Sequence, residues 1–273
     1  MTEHDDPKTP AGVAAGRRVV ALERRLRHCG NVVTLGVRTN LSDYGPEALA
    51  LIREADRIYY PSAFYANLFS AMGKSTFPSP HNYHCAQDKI RQSTLFGLLG
   101  LPHPRTRVFY GRRQKEKILQ HFQFPFVAKI PRGSSMGRGV YLIHNPAQLD
   151  DYCRLTHAAY IQQYLPVDRD LRVVVIGRQV VHAYWRLAPD GDFRANLARG
   201  GKVDLAPVPK AACDLARHTA RACGWDDVGI DICCCQGQYY VIEANMKYGL
   251  EGFRQAGLDY SALMERLIRD GSI

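Results

Sequence analysis

One stretch constrains this chain more than any other: residues 228–245, VGIDICCCQGQYYVIEAN. It reads as two strands, 229–235 and 239–244, joined by a turn at Gln236-Gly237. Asp231 lies on the first strand; Glu243 and Asn245 close the second. Residues two apart on a strand share a face, so Glu243 and Asn245 project together, and the hairpin can bring Asp231 across to them. Two carboxylates and an amide oxygen among apolar strand residues make an all-oxygen set suited to a hard divalent cation such as magnesium. A hairpin that turns one polar face to solvent explains the same residues, and the stretch alone does not choose.

The rest of the chain narrows the choice. With 36 Lys and Arg against 26 Asp and Glu, the formal charge is +10, which favours anionic partners such as nucleotides, phosphates or carboxylates. The basic residues are dispersed, so nucleic-acid binding rests on net charge alone and is not expected. No apolar run approaches the roughly 20 residues needed to span a bilayer. Residues 1–18 are polar, lack the apolar core of a secretory signal and read as a disordered tail; with no sign of export, the cytoplasm is the expected location. Five of the eight cysteines are scattered, and Cys233, Cys234 and Cys235 are consecutive on a strand, where neighbours point to opposite faces. That spacing suits reduced thiols acting as small apolar residues rather than a disulfide or a metal cluster.

Periodicity predicts a short α/β unit first: a helix over 18–29, a strand over 31–36, a helix over 46–55 begun by Pro46, a strand over 57–60, a helix over 62–72 and a loop over 76–80. It carries no glycine fingerprint of the dinucleotide type. An amphipathic helix over 85–99 follows, then a strand over 106–110, a helix over 114–122, strands over 126–130 and 140–143, a helix over 146–156 and a strand over 160–165. Residues 168–170 read as a loop before a buried strand over 171–176, which Gly177-Arg178 turns into a strand over 180–185. Residues 193–201 form a polar loop, 209–223 and 260–269 helices. The hairpins suit mostly antiparallel sheets.

Lys129 sits on the apolar strand FVAKI, ahead of a loop with Gly133, Gly137 and Gly139 that holds Ser134, Ser135 and Arg138. Glycines let a backbone approach closely and aim its N–H groups at phosphate oxygens, and a strand lysine adds a point charge. The spacing is not that of a Walker loop. A plain hairpin turn accounts for the glycines as well; lysine, serines, arginine and flanking strands together point to phosphate.

The order of these pieces resembles the ATP-grasp superfamily and, within it, the RimK-like carboxylate–amine ligases that add glutamate or related amino acids. The carrying motifs are Asp88-Lys89, Lys129 with its glycine loop, Asp170-x-Arg172, FRANLARGG, Asp231, Glu243-x-Asn245 and GLEGF, over about 88–253. The resemblance implies an α/β (α+β) ATP-grasp fold, the nucleotide held between two α+β subdomains, preceded by a short α/β domain. Its boundaries are a tail over 1–18, an N-terminal domain over 19–86, a central subdomain with the glycine loop over 87–164 and a C-terminal subdomain with the metal site over 165–273. It implies Lys89 and Lys129 at the nucleotide phosphates, with Ser134 and Ser135 in the loop above them. Gln163, Tyr164 and Leu165 become the linker that reads adenine, and Asp170 lies near the ribose. Arg172 sits at the reacting phosphate, Arg194 and Asn196 meet phosphates and metal, and Asp231, Glu243 and Asn245 bind magnesium or manganese.

The chain departs from the pattern at Gln163, often Glu, and at Met246-Lys247-Tyr248, commonly Ser-Ser-Pro, a segment that lines the substrate end. The implied activity is ATP-dependent joining of a carboxylate to an amine through an acyl phosphate, adding an amino acid such as glutamate to a peptide, protein or small molecule. Homo-oligomers are common in such enzymes. A nucleotide-binding regulatory module, non-catalytic or kinase-like, is the alternative. His103, His144 and His182 read as ordinary polar residues.

Overall fold

The computed structural model describes residues 19–133, 139–189 and 201–273. The first described segment builds a parallel sheet from β1 (Val19–Ala21), β2 (Val32–Thr34), β3 (Arg57–Tyr59) and β4 (Ser75–Phe77), in the order β2-β1-β3-β4. Helices α1 (Pro46–Glu54) and α2 (Ser62–Ala71) connect its strands. The helix expected over 18–29 is instead β1 followed by a single 3-10 turn, Arg24–Leu26. The misreading has a physical cause: β1 is a central strand buried on both sides, Val20 and Leu22 in one core and Ala21 in another. Such a run has no period of its own. The loop expected over 76–80 begins instead within β4, a short edge strand (Ser75–Phe77) in register with β3.

The helix expected over 85–99 begins only at Lys89, as α4 (Lys89–Leu98), and a separate short helix, α3 (Pro80–Cys85), precedes it. Gln87 takes φ 56° between them, and the Asp88 carboxylate caps α4 by accepting from Arg91 N at 3.0 Å. The break places Lys89 at the head of a helix. Next come β5 (Thr106–Tyr110), the short helices α5 (Gly111–Lys115) and α6 (Ile118–His121) where one helix was expected, β6 (Phe126–Lys129), β7 (Val140–Ile143), α7 (Pro146–Leu155) and β8 (Ala158–Gln163). The strands form an antiparallel sheet in the order β5-β8-β6-β7, with its own core around Phe109, Phe126 and Tyr152.

The third sheet follows at once. It contains β9 (Arg169–Ile176), β10 (Gln179–Leu187), β11 (Lys202–Asp204), β12 (Asp227–Cys235) and β13 (Gln238–Asn245), ordered β11-β10-β9-β12-β13 and antiparallel throughout. β9 takes in part of the expected 168–170 loop, so Asp170 is a strand residue. Helix α8 (Lys210–Ala222) packs on one face over Leu171, Val173 and Val175. On the other face, Val174 and Ile176 meet α9 (Glu251–Gln255), α10 (Tyr260–Arg269) and the parallel sheet through Ala21, Tyr59 and Tyr60. Among the described residues no helix is long and apolar enough to cross a membrane.

Candidate functional site

The β12–β13 hairpin closes at Gln236-Gly237, both at positive φ (52° and 78°), which matches the backbone twist of tight two-residue turns. That turn pairs Cys235 with Gln238 and, counting back, Ile232 with Val241. An unbroken register would then set Asp231 opposite Ile242. A bulge intervenes, and Asp231 faces Glu243 instead, with Gly229 opposite Asn245. On the other side of β12, Asp231 pairs with Arg172 of β9, and Arg172 with Tyr184 of β10. One row of side chains therefore crosses four strands: Tyr184, Arg172, Asp231, Glu243.

Asp231 is the hub of that row. Arg172 grips it with two nitrogens, Nε on Oδ1 and Nη2 on Oδ2 at 3.1 Å. Arg186 adds Nη2 at 2.9 Å, and Asn245 donates its amide at 3.1 Å. Arg186 also holds Asp170 by two bonds, 2.6 and 2.8 Å. Burial acts most strongly on both carboxyls and raises Asp170 above the ordinary range, against the pull of Arg186. Asp231 has Arg172 as well as Arg186, and together they hold it below that range despite burial. Gly229 makes room for this: a Cβ there would come within 2.9 Å of both Arg172 Cδ and Tyr248 Cβ.

Two lysines approach from outside the sheet. Lys89 is buried and lies 3.4 Å from Glu243 Oε1. Lys129, also buried, sits with Nζ 6.0 Å from the Tyr160 ring centroid. Burial lowers its pKa to about 8, with Glu243 the strongest opposing influence. The backbone joins the two: Lys89 N donates to Pro131 O at 3.0 Å, two residues past Lys129. Gln92, one turn beyond Lys89, clamps the edge of β13. Its amide donates to Ala244 O at 2.8 Å and accepts from Ala244 N at 3.0 Å, fixing the backbone between Glu243 and Asn245.

Lys129, Asp170, Arg186, Asp231 and Glu243 line a cleft of about 780 Å³ with its open mouth, within the range of small-molecule sites, and Lys89 and Arg172 reach it through their pairs with Glu243 and Asp231. Val127 and Lys129 of the second sheet form one wall. Asp170, Arg186, Asp231 and Glu243 of the third form the other. Gln163, Tyr164 and Leu165, which join β8 to β9, close one side. The structure thus brings Lys89, Lys129, Asp170, Arg172, Asp231, Glu243 and Asn245 together beside that connection. Ser134, Ser135, Arg194 and Asn196 lie outside the described residues. Cys233 lines the cleft, and burial raises its thiol to about 12.

Arg186 and Gln92 were not among the expected residues. Arg186 could be found only from strand register, which sets it opposite Asp170; Gln92 bonds to backbone, which leaves no mark in sequence. The donor set has a hard-cation character, but its parts differ in readiness. Glu243 has one oxygen near Lys89, and Asn245 turns its carbonyl away from Asp231, so both can offer an oxygen. Asp231 already accepts four bonds and would have to release an arginine first.

Two antiparallel sheets facing each other across such a cleft, behind a parallel sheet, make the ATP-grasp fold. The ATP-grasp ligase PsnB complexed with its minimal precursor superposes with a TM-score of 0.66 at 19% identity, over 93% of this chain and 98% of that one. PsnB with a phosphomimetic precursor variant, Mg and ADP gives 0.60 at 18%, over 80% of each chain. Residues 86–268 match the RimK-like ATP-grasp domain, and the chain belongs to that family. It is 31% identical over 191 residues to the ribosomal protein bS6–L-glutamate ligase of Escherichia fergusonii, covering 67% of this chain. It is 31% identical over 199 residues to a probable alpha-L-glutamate ligase of Haemophilus influenzae, covering 70% of this chain. The chain spans 63% and 66% of the length of these two relatives.

Proposed function

We propose that this chain is an ATP-dependent carboxylate–amine ligase that joins an amino acid to an acceptor through an acyl phosphate. The observation that carries the reading is a cluster of four buried cations: Lys129 and Arg186 line the cleft with Asp170, Asp231 and Glu243, and Lys89 and Arg172 pair with Glu243 and Asp231 beside it, so that among the described residues of this cluster four cations meet three carboxylates. A site with surplus positive charge, shielded from water, is built for a polyanion. Membership of the RimK-like family and the PsnB complex with Mg and ADP support ATP and a divalent cation as its occupants.

A carboxylate does not react with an amine, because oxide is a poor leaving group. Attack of the carboxylate oxygen on the terminal phosphorus of ATP breaks the bond to the β-phosphate and gives an acyl phosphate. The amine then attacks the acyl carbon and phosphate leaves with the electron pair. Lys129 and Lys89 neutralise phosphate oxygens, and Arg172 and Arg186 meet the charge that builds on the transferring group. Asp170 and Asp231 hold the two arginines at the cleft beforehand. Gln163, Tyr164 and Leu165 offer backbone groups to the base, and Asp170 lies toward the ribose. Glu243 and Asn245, and Asp231 once an arginine lets go, would hold magnesium or manganese, which would further neutralise the phosphates.

The test is a screen of amino acids paired with one another and with small carboxylic acids, read as ADP and phosphate release. A pair that stimulates release in the wild type and not in Glu243→Ala supports the reading. Full activity in Glu243→Ala contradicts the metal assignment, and no stimulation by any pair favours a nucleotide-binding module.

A further inference from the structure

Two arginines meet on Asp231, and they are not held alike. Arg186 has two carboxylates. It gives two bonds to Asp170, at 2.6 and 2.8 Å, and only Nη2 to Asp231, at 2.9 Å. It can leave Asp231 and stay paired. Arg172 has one carboxylate: among the described residues it forms an ion pair with Asp231 alone. Its Nε meets Oδ1 and its Nη2 meets Oδ2 at 3.1 Å, the two-pronged grip of a guanidinium on a carboxylate.

Both side chains are buried. A guanidinium that let go here would find little water to replace its partner, and an uncompensated buried charge is costly. The stem has little room to withdraw. Arg172 Cδ and Tyr248 Cβ both lie over Gly229, and Tyr248 is anchored by its hydroxyl on Asp227 at 2.6 Å. Opening the grip is therefore a turn of the guanidinium itself.

That grip covers the oxygens a cation would need. A carboxylate offers about four lone-pair sites. On Asp231 one donor reaches Oδ1, and Arg172, Arg186 and Asn245 all reach Oδ2. Asn245 spends its amide nitrogen on the same carboxylate, at 3.1 Å. Glu243 has a single, looser contact, Lys89 at 3.4 Å from Oε1. Of the three candidate metal ligands, the central one is thus capped by two cations, which repel a third.

A divalent ion arriving alone must break the double grip and sit beside a guanidinium that has nowhere to go. One arriving on a polyphosphate brings the acceptor with it, because phosphate oxygens fit the same fork. The guanidinium then passes from carboxylate to phosphate as the carboxylate passes to the cation, and every charge stays paired.

Resting on the ligase reading, we infer that Arg172 gates the cation site: it caps Asp231 against free divalent ions and yields to a cation that comes with a polyphosphate. The chain takes its metal as the nucleotide complex and stores none beforehand. Arg172 trades two oxygens for two others, so the gate acts on the order of loading and changes nucleotide affinity little. When the phosphates leave, the grip re-forms and the cation goes with them.

The experiment uses the full chain with manganese as the only added ligand, at neutral pH, and reads binding by paramagnetic relaxation. The wild type is compared with Arg172→Met, Arg172→Lys, Lys129→Met and the double variant Arg172→Met/Asp231→Asn. Lys129→Met removes the same charge from the cleft wall without uncapping Asp231. The expected result is that Arg172→Met binds manganese at least about tenfold more tightly than the wild type, the scale of one hydrogen bond to a charged group. Lys129→Met changes affinity far less, and the double variant loses the gain. Arg172→Lys keeps the charge but caps one oxygen only, so it falls between; where the methionine variant does not fold, it decides. Equal affinity in the wild type and the Arg172 variants, an equal gain in Lys129→Met, or a gain that survives Asp231→Asn overturns the inference. ADP release with amino-acid pairs, measured in parallel on the wild type, separates the two readings. The manganese gain without turnover keeps the gate and removes the ligase; turnover with manganese binding alike in all variants does the reverse.

Discussion

Arg186 reaches past its neighbouring strand: Nη2 lies 2.9 Å from an oxygen of Asp231, although β9 separates β10 from β12. The same guanidinium holds Asp170 on β9, so one side chain ties three strands at the floor of the cleft. Removing it leaves two buried carboxylates short of a partner. Arg186→Met is expected to cost on the order of 3 kcal/mol in stability, the usual scale for breaking one side of a buried ion pair. It should also weaken nucleotide binding by tenfold or more. Thermal melts and nucleotide titrations check both; a variant with wild-type melting and affinity contradicts the role given to Arg186.

Lys129 gives the site a pH dependence with opposite signs for binding and stability. Burial brings its pKa down to about 8 from 10.5. In the free protein the ammonium is charged below that pH, and a bound phosphate needs the charge. Nucleotide affinity should therefore fall above pH 8, by up to about tenfold per unit. Stability runs the other way. Between 8 and 10.5 the unfolded chain holds the proton that the folded protein has lost, so this residue's penalty on folding lessens as pH rises. Titrations from pH 7 to 9.5 should show the affinity falling in wild type and a flat, weaker profile in Lys129→Met. A flat wild-type profile refutes the assignment.

Much of this site is visible in the sequence because local rules fix it. Gln236-Gly237 marks the hairpin turn, and the two-residue spacing of Glu243 and Asn245 sets them on one face. The pairing of Asp231 with Glu243 is not local: it depends on a bulge that undoes the register the turn begins. Arg186 looks like the polar end of a strand until the register sets Asp170 opposite. Gln92 bonds only to main chain. The first strand was misread because burial on both faces erases the period that would tell a strand from a helix. What stayed hidden in each case was a partner far away in sequence.

Gln92 supports the edge of β13 that carries Glu243 and Asn245 by bonding to the main chain of Ala244 between them. Its amide saturates both backbone groups of Ala244, acting as a further rung on the free side of β13. Gln92→Leu keeps roughly the same volume but leaves a buried N–H and C=O unpaired, at about 1–3 kcal/mol each where water does not enter. The expected outcome is a lower melting temperature together with weaker manganese binding, read by paramagnetic relaxation. Loss of stability with unchanged manganese affinity would show that the clamp serves the fold alone.

Gly229 faces Asn245 on β13 and lies under the Arg172 side chain. Its backbone is ordinary strand, so the case for glycine is space rather than φ. A methyl group there meets Arg172 Cδ and Tyr248 Cβ, each at 2.9 Å, closer than real Cβ contacts come. Tyr248 is packed in the core and donates to Asp227 at 2.6 Å, so it has little freedom to retreat. Arg172 is the softer of the two and must shift, which loosens the two hydrogen bonds it donates to Asp231. Gly229→Ala should therefore fold with a modest loss of stability, about 1–3 kcal/mol as for other overpacked sites. If Arg172 acts at the transferring phosphate as proposed, kcat should fall far more than nucleotide affinity. Equal losses in the two would place Arg172 in ground-state binding instead.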